Sequence, residues 1–164
     1  MTMATAATLV AVLANPPLTD GKRTLGRVAL AGELLGFAEV KVVNLFSIPS
    51  LATGAIDELG ATATGWLAAR PSLETALAGA DGVLLAYGAT SPSGPARTHF
   101  REQVEWLRTR LDQLALPGWQ VGDGPRHPSR WQRWTNREYP EIPFIEAVRR
   151  SLVVVRTNCV GSDH

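Results

Sequence analysis

Thr8-Leu-Val-Ala-Val-Leu-Ala14 runs directly into Asn15-Pro16-Pro17. A run this short, apolar on both faces and stopped by proline reads as a strand in the middle of a parallel sheet, because such strands lack in-out alternation. Residues before proline avoid the helical region, so Asn15 and Pro16 leave the strand in an extended conformation. Thr19 or Asp20 then caps a helix over Arg23 to Leu35, with apolar positions at Leu25, Val28, Ala29, Leu34 and Leu35 and Gly36 as its stop.

Outward from this unit the pattern repeats. Val40-Lys-Val-Val-Asn-Leu-Phe46 is a second strand, and Pro49 prevents much continuation. The Ala-, Thr- and Gly-rich stretch from Leu51 to Ala69 holds a short helix from Ala55 to Leu59. Ser72 to Ala78 forms another, with Ser72 as N-cap and Gly79 as stop. Gly82-Val-Leu-Leu-Ala-Tyr87 is a third strand ending at Gly88, and Ser91-Pro-Ser-Gly-Pro95 is a loop. Arg97 to Leu114 is an amphipathic helix with Phe100, Val104, Leu107, Leu111 and Leu114 on one face. Pro117-Gly118 breaks it, and Trp119-Gln-Val121 is a short fourth strand leading into Gly122-Asp-Gly-Pro-Arg-His-Pro-Ser-Arg-Trp131. The segment after it is aromatic and basic, and Ile142 to Val155 reads as a last helix that could pass into a strand at Leu152-Val-Val-Val155.

This alternation predicts an α/β fold: three layers, with a central, mostly parallel four-stranded sheet and helices on both faces. Residues 1–156 form the expected single domain, and residues 157–164 a flexible C-terminal tail. Right-handed crossovers bring the C-terminal ends of the strands to one edge, where open α/β sheets bind ligands. Four polar loops follow strand ends: Asn15 to Asp20, Asn44 to Phe46, Tyr87-Gly88, and the loop of His127.

Composition bounds the function. The chain has 164 residues, 45% hydrophobic and 19% charged, enough for one sizeable core and unlike a disordered chain. Its net charge of +1 excludes a global basic field that would steer it to nucleic acid, though not a local patch. The single cysteine, Cys159, excludes an internal disulfide framework and a cysteine-built zinc site, and fits a reducing, cytoplasmic compartment. Met1 to Val10 lacks the basic start of a signal peptide, and no stretch approaches the roughly 18 apolar residues of a membrane span. The chain carries no Walker A loop, no Gly-x-Gly-x-x-Gly after the first strand, no His-Glu-x-x-His and no Gly-x-Ser-x-Gly; His99 and His164 stand alone. No metal, cofactor or membrane partner is expected, and the oligomeric state is open.

The motifs carry chemistry of different specificity. His127 lies between Pro125 and Pro128, so its backbone is restricted; its ring either hydrogen-bonds a developing anion or is satisfied by loop carbonyls. The Asn15 amide, ahead of Pro16, either orients a water or ligand edge or serves the turn. Asp20 is a general base or a helix cap. Asn44 interrupts an apolar strand and must find partners: another loop, or a polar ligand such as a nucleobase. Phe46 stacks on a planar ring or fills the core, and Gly88 after Tyr87 allows close backbone approach. Arg126, Arg130, Arg133 and Arg137 interleave with Trp131 and Trp134, which suits phosphates and stacked bases, with Arg126 and Arg130 favoured for phosphate because they adjoin His127; arginine stacked on tryptophan at a solvated helix face gives the same pattern.

The ordered set Leu13, Asn15-Pro16 with Thr19-Asp20, Leu35-Gly36-Phe37, Val43-Asn44-Leu45-Phe46, Tyr87-Gly88 and Gly124-Pro125-Arg126-His127-Pro128 resembles the bacterial and phage family called domain of unknown function 1643. The likeness covers about residues 8 to 131. Two departures are Lys22-Arg23-Thr24, where that family has an acidic-Pro-Thr step, and Ser47-Ile48-Pro49, where it often has an arginine. More distantly, His127-Pro128-Ser129 is similar to the last motif of the uracil-DNA glycosylase superfamily. That resemblance implies Asn15 or Asp20 positioning a water, Asn44 reading the base, His127 stabilising the departing base anion, and the loop carrying Ser129 and Arg130 touching phosphate.

Three readings follow. The first is a glycosylase-like domain that binds a nucleobase-containing ligand, nucleotide or DNA, and hydrolyses an N-glycosidic bond. The second is a non-catalytic nucleotide or nucleic-acid binding module. The third is a biosynthetic enzyme acting on a small metabolite in a re-purposed pocket.

Overall fold

The computed structural model describes residues 7–49, 56–88 and 90–156. Strand β1 (Thr8–Leu13) is buried along its whole length, as its unbroken apolar run requires. It pairs in parallel with β2 (Glu39–Asn44) on one side and with β3 (Gly82–Leu85) on the other. Strand β4 (Gly118–Val121) pairs in parallel with β3, and β5 (Leu152–Arg156) pairs antiparallel with β4. The sheet is therefore α/β and mostly parallel, in the order β2-β1-β3-β4-β5.

The fifth strand corrects the four-strand expectation. Helix α6 (Phe144–Ser151) stops before Leu152, and the chain turns extended there. Three consecutive valines hold few helical rotamers, and their backbone instead completes a ladder with β4. The side chain of Arg156 anchors the strand by donating to the Leu116 carbonyl at 2.9 Å and pairing with Asp112.

Helix α1 (Lys22–Leu35) stands within a residue of its expected span. Helix α2 (Ile56–Leu59) keeps the expected end, while Ala55 lies outside the described residues. Helix α3 (Thr64–Ala78) starts eight residues before Ser72, with Pro71 inside it. Proline deletes an intrahelical bond and disfavours a helix interior. Here Pro71 faces solvent while Trp66, Ala69, Leu73 and Leu77 bury one continuous stripe, and packing overrides propensity. Helix α4 (Pro95–Gln113) begins with proline in its first turn. Helix α5 (Trp131–Glu138) occupies the aromatic and basic segment. Among the described residues no helix is long and apolar enough to cross a membrane.

Alternate β1 residues enter different hydrophobic clusters, as a period of two demands. Val10 and Val12 pack with Leu73, Leu77, Leu107 and Leu111 of α3 and α4. Leu9, Ala11 and Leu13 pack with Val28, Ala31, Trp131 and Val148 of α1, α5 and α6.

One polar side chain is built into the first cluster. Gln103 on α4 is fully buried. Its amide donates to the Leu45 carbonyl at 2.9 Å and the Trp66 carbonyl at 2.7 Å, and its oxygen accepts from Arg70 Nε at 2.9 Å. It thereby holds the β2 exit against two helices. Replacing it with leucine leaves buried acceptors without a donor, which costs about 1–3 kcal/mol. Urea unfolding of Gln103→Leu is expected to show a lower midpoint with an unchanged slope; an unchanged midpoint would mean the amide carries no net stability.

Candidate functional site

Because β1 to β4 run in one direction, their exits gather at one edge of the sheet. The register sets Leu13 beside Asn44 and Val12 beside Leu85, so the first three exits are level. Backbone bonds then clasp the loops together. The Leu45 and Phe46 N–H groups donate to the Leu13 and Ala14 carbonyls, both at 2.9 Å. Asn15 Nδ2 donates to the Ile48 carbonyl at 3.3 Å. The Gly88 N–H donates to the Pro125 carbonyl at 2.6 Å, joining the β3 exit to the histidine loop. Gly88 has φ 102°, a conformation an L side chain resists.

These loops enclose a cavity of about 1030 Å³. Asn15, Asp20, Asn44, Tyr87, Gly88, Arg126, His127, Ser129 and Arg130 all line it. Two expected residues do not. Pro16 is not among the lining residues. Phe46 has no exposed surface and packs on Trp66 with centroids 4.7 Å apart, so its ring is core and does not stack on a ligand. The β2 ladder ends at Asn44, and the next two residues turn inward beneath the site.

The ring of His127 is held by its own loop. The Ser129 backbone N–H donates to Nδ1 at 3.1 Å, and Ser129 Oγ lies 2.9 Å from the same nitrogen. A backbone N–H only donates, so Nδ1 presents its lone pair and the proton of the neutral ring resides on Nε2. Burial, and then the nearby Arg130 guanidinium, push the imidazole pKa below its usual value, which favours that neutral form. The loop is closed by the Arg130 N–H to the His127 carbonyl at 2.8 Å and by Trp131 Nε1 to the Arg126 carbonyl at 3.1 Å. Arg27, on α1, braces it by donating to the Pro128 carbonyl at 2.7 Å.

Asn44 offers the complementary group. Among the described residues, its carboxamide oxygen is buried with no hydrogen-bond partner. Such an orphan is rare in a folded protein and marks a position where a donor is wanted. Asp20 is exposed, and its carboxylate accepts from the Lys22 N–H at 3.1 Å at the start of α1.

The lining is also polarised. Trp66, Phe100, Tyr87, Leu45 and Ile56 contribute an apolar part, in which Tyr87 and Phe100 lie 5.9 Å apart and Trp66 and Phe100 6.1 Å apart. Burial raises the Tyr87 hydroxyl pKa above its usual value, opposed by Arg108. Arg126, Arg130, Arg133 and Arg137 contribute a cationic part. The Arg126 guanidinium lies 4.2 Å from the Trp134 ring and 2.6 Å from the Asp123 carboxylate. Gly122, with φ 77°, lets that indole lie on the turn: a Cβ there would sit 2.6 Å from it.

Several of these residues escape a linear reading. Arg133 and Arg137 are legible as part of the basic and aromatic run, but their place on the cavity comes from α5, whose spacings of three and four residues set Arg130, Arg133 and Arg137 on one side. Trp66 and Ser91 to Ser93 enter the lining from stretches with no distinguishing motif. Among the described residues no group of histidine, cysteine, aspartate and glutamate could hold a metal ion.

The pH behaviour follows from His127. Its native pKa lies below the unfolded value of about 6.5. As pH falls below that value the unfolded chain takes up the proton first, so the neutral-ring contribution, fully present above about 6.5, is lost as pH falls through the native pKa. Proton NMR titration should find the ring titrating below the usual range. Arg130→Gln should move it upward, with burial keeping part of the depression. Stability measured against pH should fall less steeply in acid for His127→Asn than for the natural chain.

No family model, curated protein or solved structure matches this chain.

Proposed function

We propose that the cavity binds a nucleobase-containing ligand, nucleotide or DNA, and hydrolyses its N-glycosidic bond. The scaffold would be the three-layer type that the likeness to the uracil-DNA glycosylase superfamily implies. The observation that carries this reading is the pairing, on one cavity, of a neutral imidazole whose free proton is on Nε2 with the unbonded Asn44 oxygen. A planar base offers a carbonyl acceptor to the first and an N–H donor to the second, and the aromatic lining suits its faces.

In this reading Asn15 orients a water toward the anomeric carbon. The water oxygen bonds to the anomeric carbon as the carbon–nitrogen bond breaks; that bond's electron pair stays on the base, and the Nε2–H of His127 hydrogen-bonds the base oxygen where charge accumulates. Asp20 receives the proton of the water. Ser129 is a positioning residue, because it sets the tautomer of His127.

A second reading keeps the binding and omits the turnover. Asp20 is exposed and already accepts a backbone N–H, which makes it a weak base. That favours a non-catalytic nucleotide or nucleic-acid binding module.

The test is incubation with uracil- or hypoxanthine-containing DNA and with free nucleosides and nucleotides, followed by chromatography for released base. Release is expected, and His127→Ala should reduce its rate about 10²- to 10³-fold, the usual cost of one donor to a developing oxyanion. Binding without release, weakened in Asn44→Ala, would favour the module. Neither release nor binding with any substrate overturns both.

A further inference from the structure

The cationic part of the cavity has a feature that base recognition does not use. Arg130, Arg133 and Arg137 follow one another at spacings of three and four along the turn Pro128–Arg130 and α5, and all three line the cavity, while Trp131 and Thr135 of α5 are buried. Neighbouring like charges at these spacings destabilise a helix. Two arginines of the lining are compensated: Arg126 by Asp123 at 2.6 Å and Arg137 by Glu138 at 3.8 Å. Among the described residues, no ion pair relieves Arg130 or Arg133. The cost is already visible at His127, whose protonation Arg130 opposes.

The charge excess is local. Sixteen lysines and arginines meet fifteen aspartates and glutamates over the whole chain, so the net charge is +1. Among the described residues the cavity lining sets four arginines against two aspartates, and one of those, Asp57, accepts from the Ser93 N–H at 2.8 Å. A strand of nucleic acid is gripped by cations spread along its backbone path. Here three of them follow one another along one turn and helix of a cavity whose other lining combines the aromatic group of Trp66, Tyr87 and Phe100 with polar side chains such as Asn15 and Asn44. Its volume of about 1030 Å³ is at the upper end of ligand sites, which run roughly 300–1,000 Å³, and leaves room for more than a base.

We propose that Arg130 and Arg133 form the phosphate seat for a free nucleotide, which rests on the base-binding reading above. The base lies toward Asn44 and His127, and the 5′-phosphate neutralises the uncompensated pair. Arg126, fixed by Trp134 and Asp123, forms the rigid shoulder of the seat.

Isothermal titration calorimetry of the full chain tests this with nucleosides, their 5′-monophosphates, inorganic pyrophosphate, and single-stranded oligodeoxynucleotides of increasing length. The monophosphate should bind at least about tenfold tighter than its nucleoside, with an advantage that shrinks as salt rises. The double substitution Arg130→Ala and Arg133→Ala should erase that advantage and leave nucleoside affinity in place. Both side chains are exposed, so the variant should keep its thermal midpoint, which circular dichroism checks. Equal affinity for nucleoside and monophosphate overturns the seat and leaves base binding standing. Pyrophosphate binding that the double substitution abolishes, with no nucleoside binding, supports the seat and overturns the base reading. Affinity that climbs with oligonucleotide length beyond a single nucleotide overturns the free nucleotide as ligand, as does an absence of binding by every probe.

Discussion

The in-register parallel pairing of β1 with both neighbours is the constraint from which the rest follows. A strand buried on both faces must satisfy every backbone group through its neighbours, and β1 does so between β2 and β3. Parallel strands share a direction, so their exits share an edge. Three exits end level, and the short backbone bonds from Leu45, Phe46 and Gly88 turn adjacency into a fixed frame. Loosening that pairing would separate the loops before any side chain of the site moved.

Within the frame, two kinds of polar group behave differently. Some are consumed by the fold: Gln103 meets two carbonyls and a guanidinium, Arg27 braces the histidine loop, and Asp20 holds the start of α1. Others are left incomplete. Among the described residues, the Asn44 oxygen is buried without a donor, and no ion pair reaches the exposed Arg130 or Arg133. An unsatisfied buried acceptor costs about 1–3 kcal/mol, a sizeable share of the 5–15 kcal/mol by which domains are stable. Among the described residues, three of the four buried side-chain polar atoms without a hydrogen-bond partner belong to residues of the cavity lining, Asn44, Arg126 and Trp134, and the fourth to Arg110, away from it.

His127 shows how local sequence and tertiary environment divide the work. Pro128 restricts its backbone to the extended region, with φ −64° and ψ 143°. Ser129, two residues on, selects the tautomer through its backbone N–H. Those effects are local. Burial and the proximity of Arg130 then set the protonation state.

Most of the element order, the interior place of β1 and the meeting of the strand-end loops at one edge are legible in the residues alone. Hydrophobic period and proline placement are short-range signals that need no knowledge of the fold. Nine of the eleven site residues read in this way line the cavity. Phe46 could not be placed, since an aromatic residue after a strand serves a ligand or a core equally well until its neighbours are known. Long-range packing set Phe46 against Trp66 in a tilted ring contact, paired Val153 to Val155 with β4 in place of a longer α6, and carried α3 through Pro71. In each case a long-range contact outweighed a local preference: burial of a large apolar side chain is worth about 1.5–3 kcal/mol, more than the few tenths that separate ordinary propensities, and several such side chains together outweigh the roughly 3 kcal/mol that an interior proline costs α3.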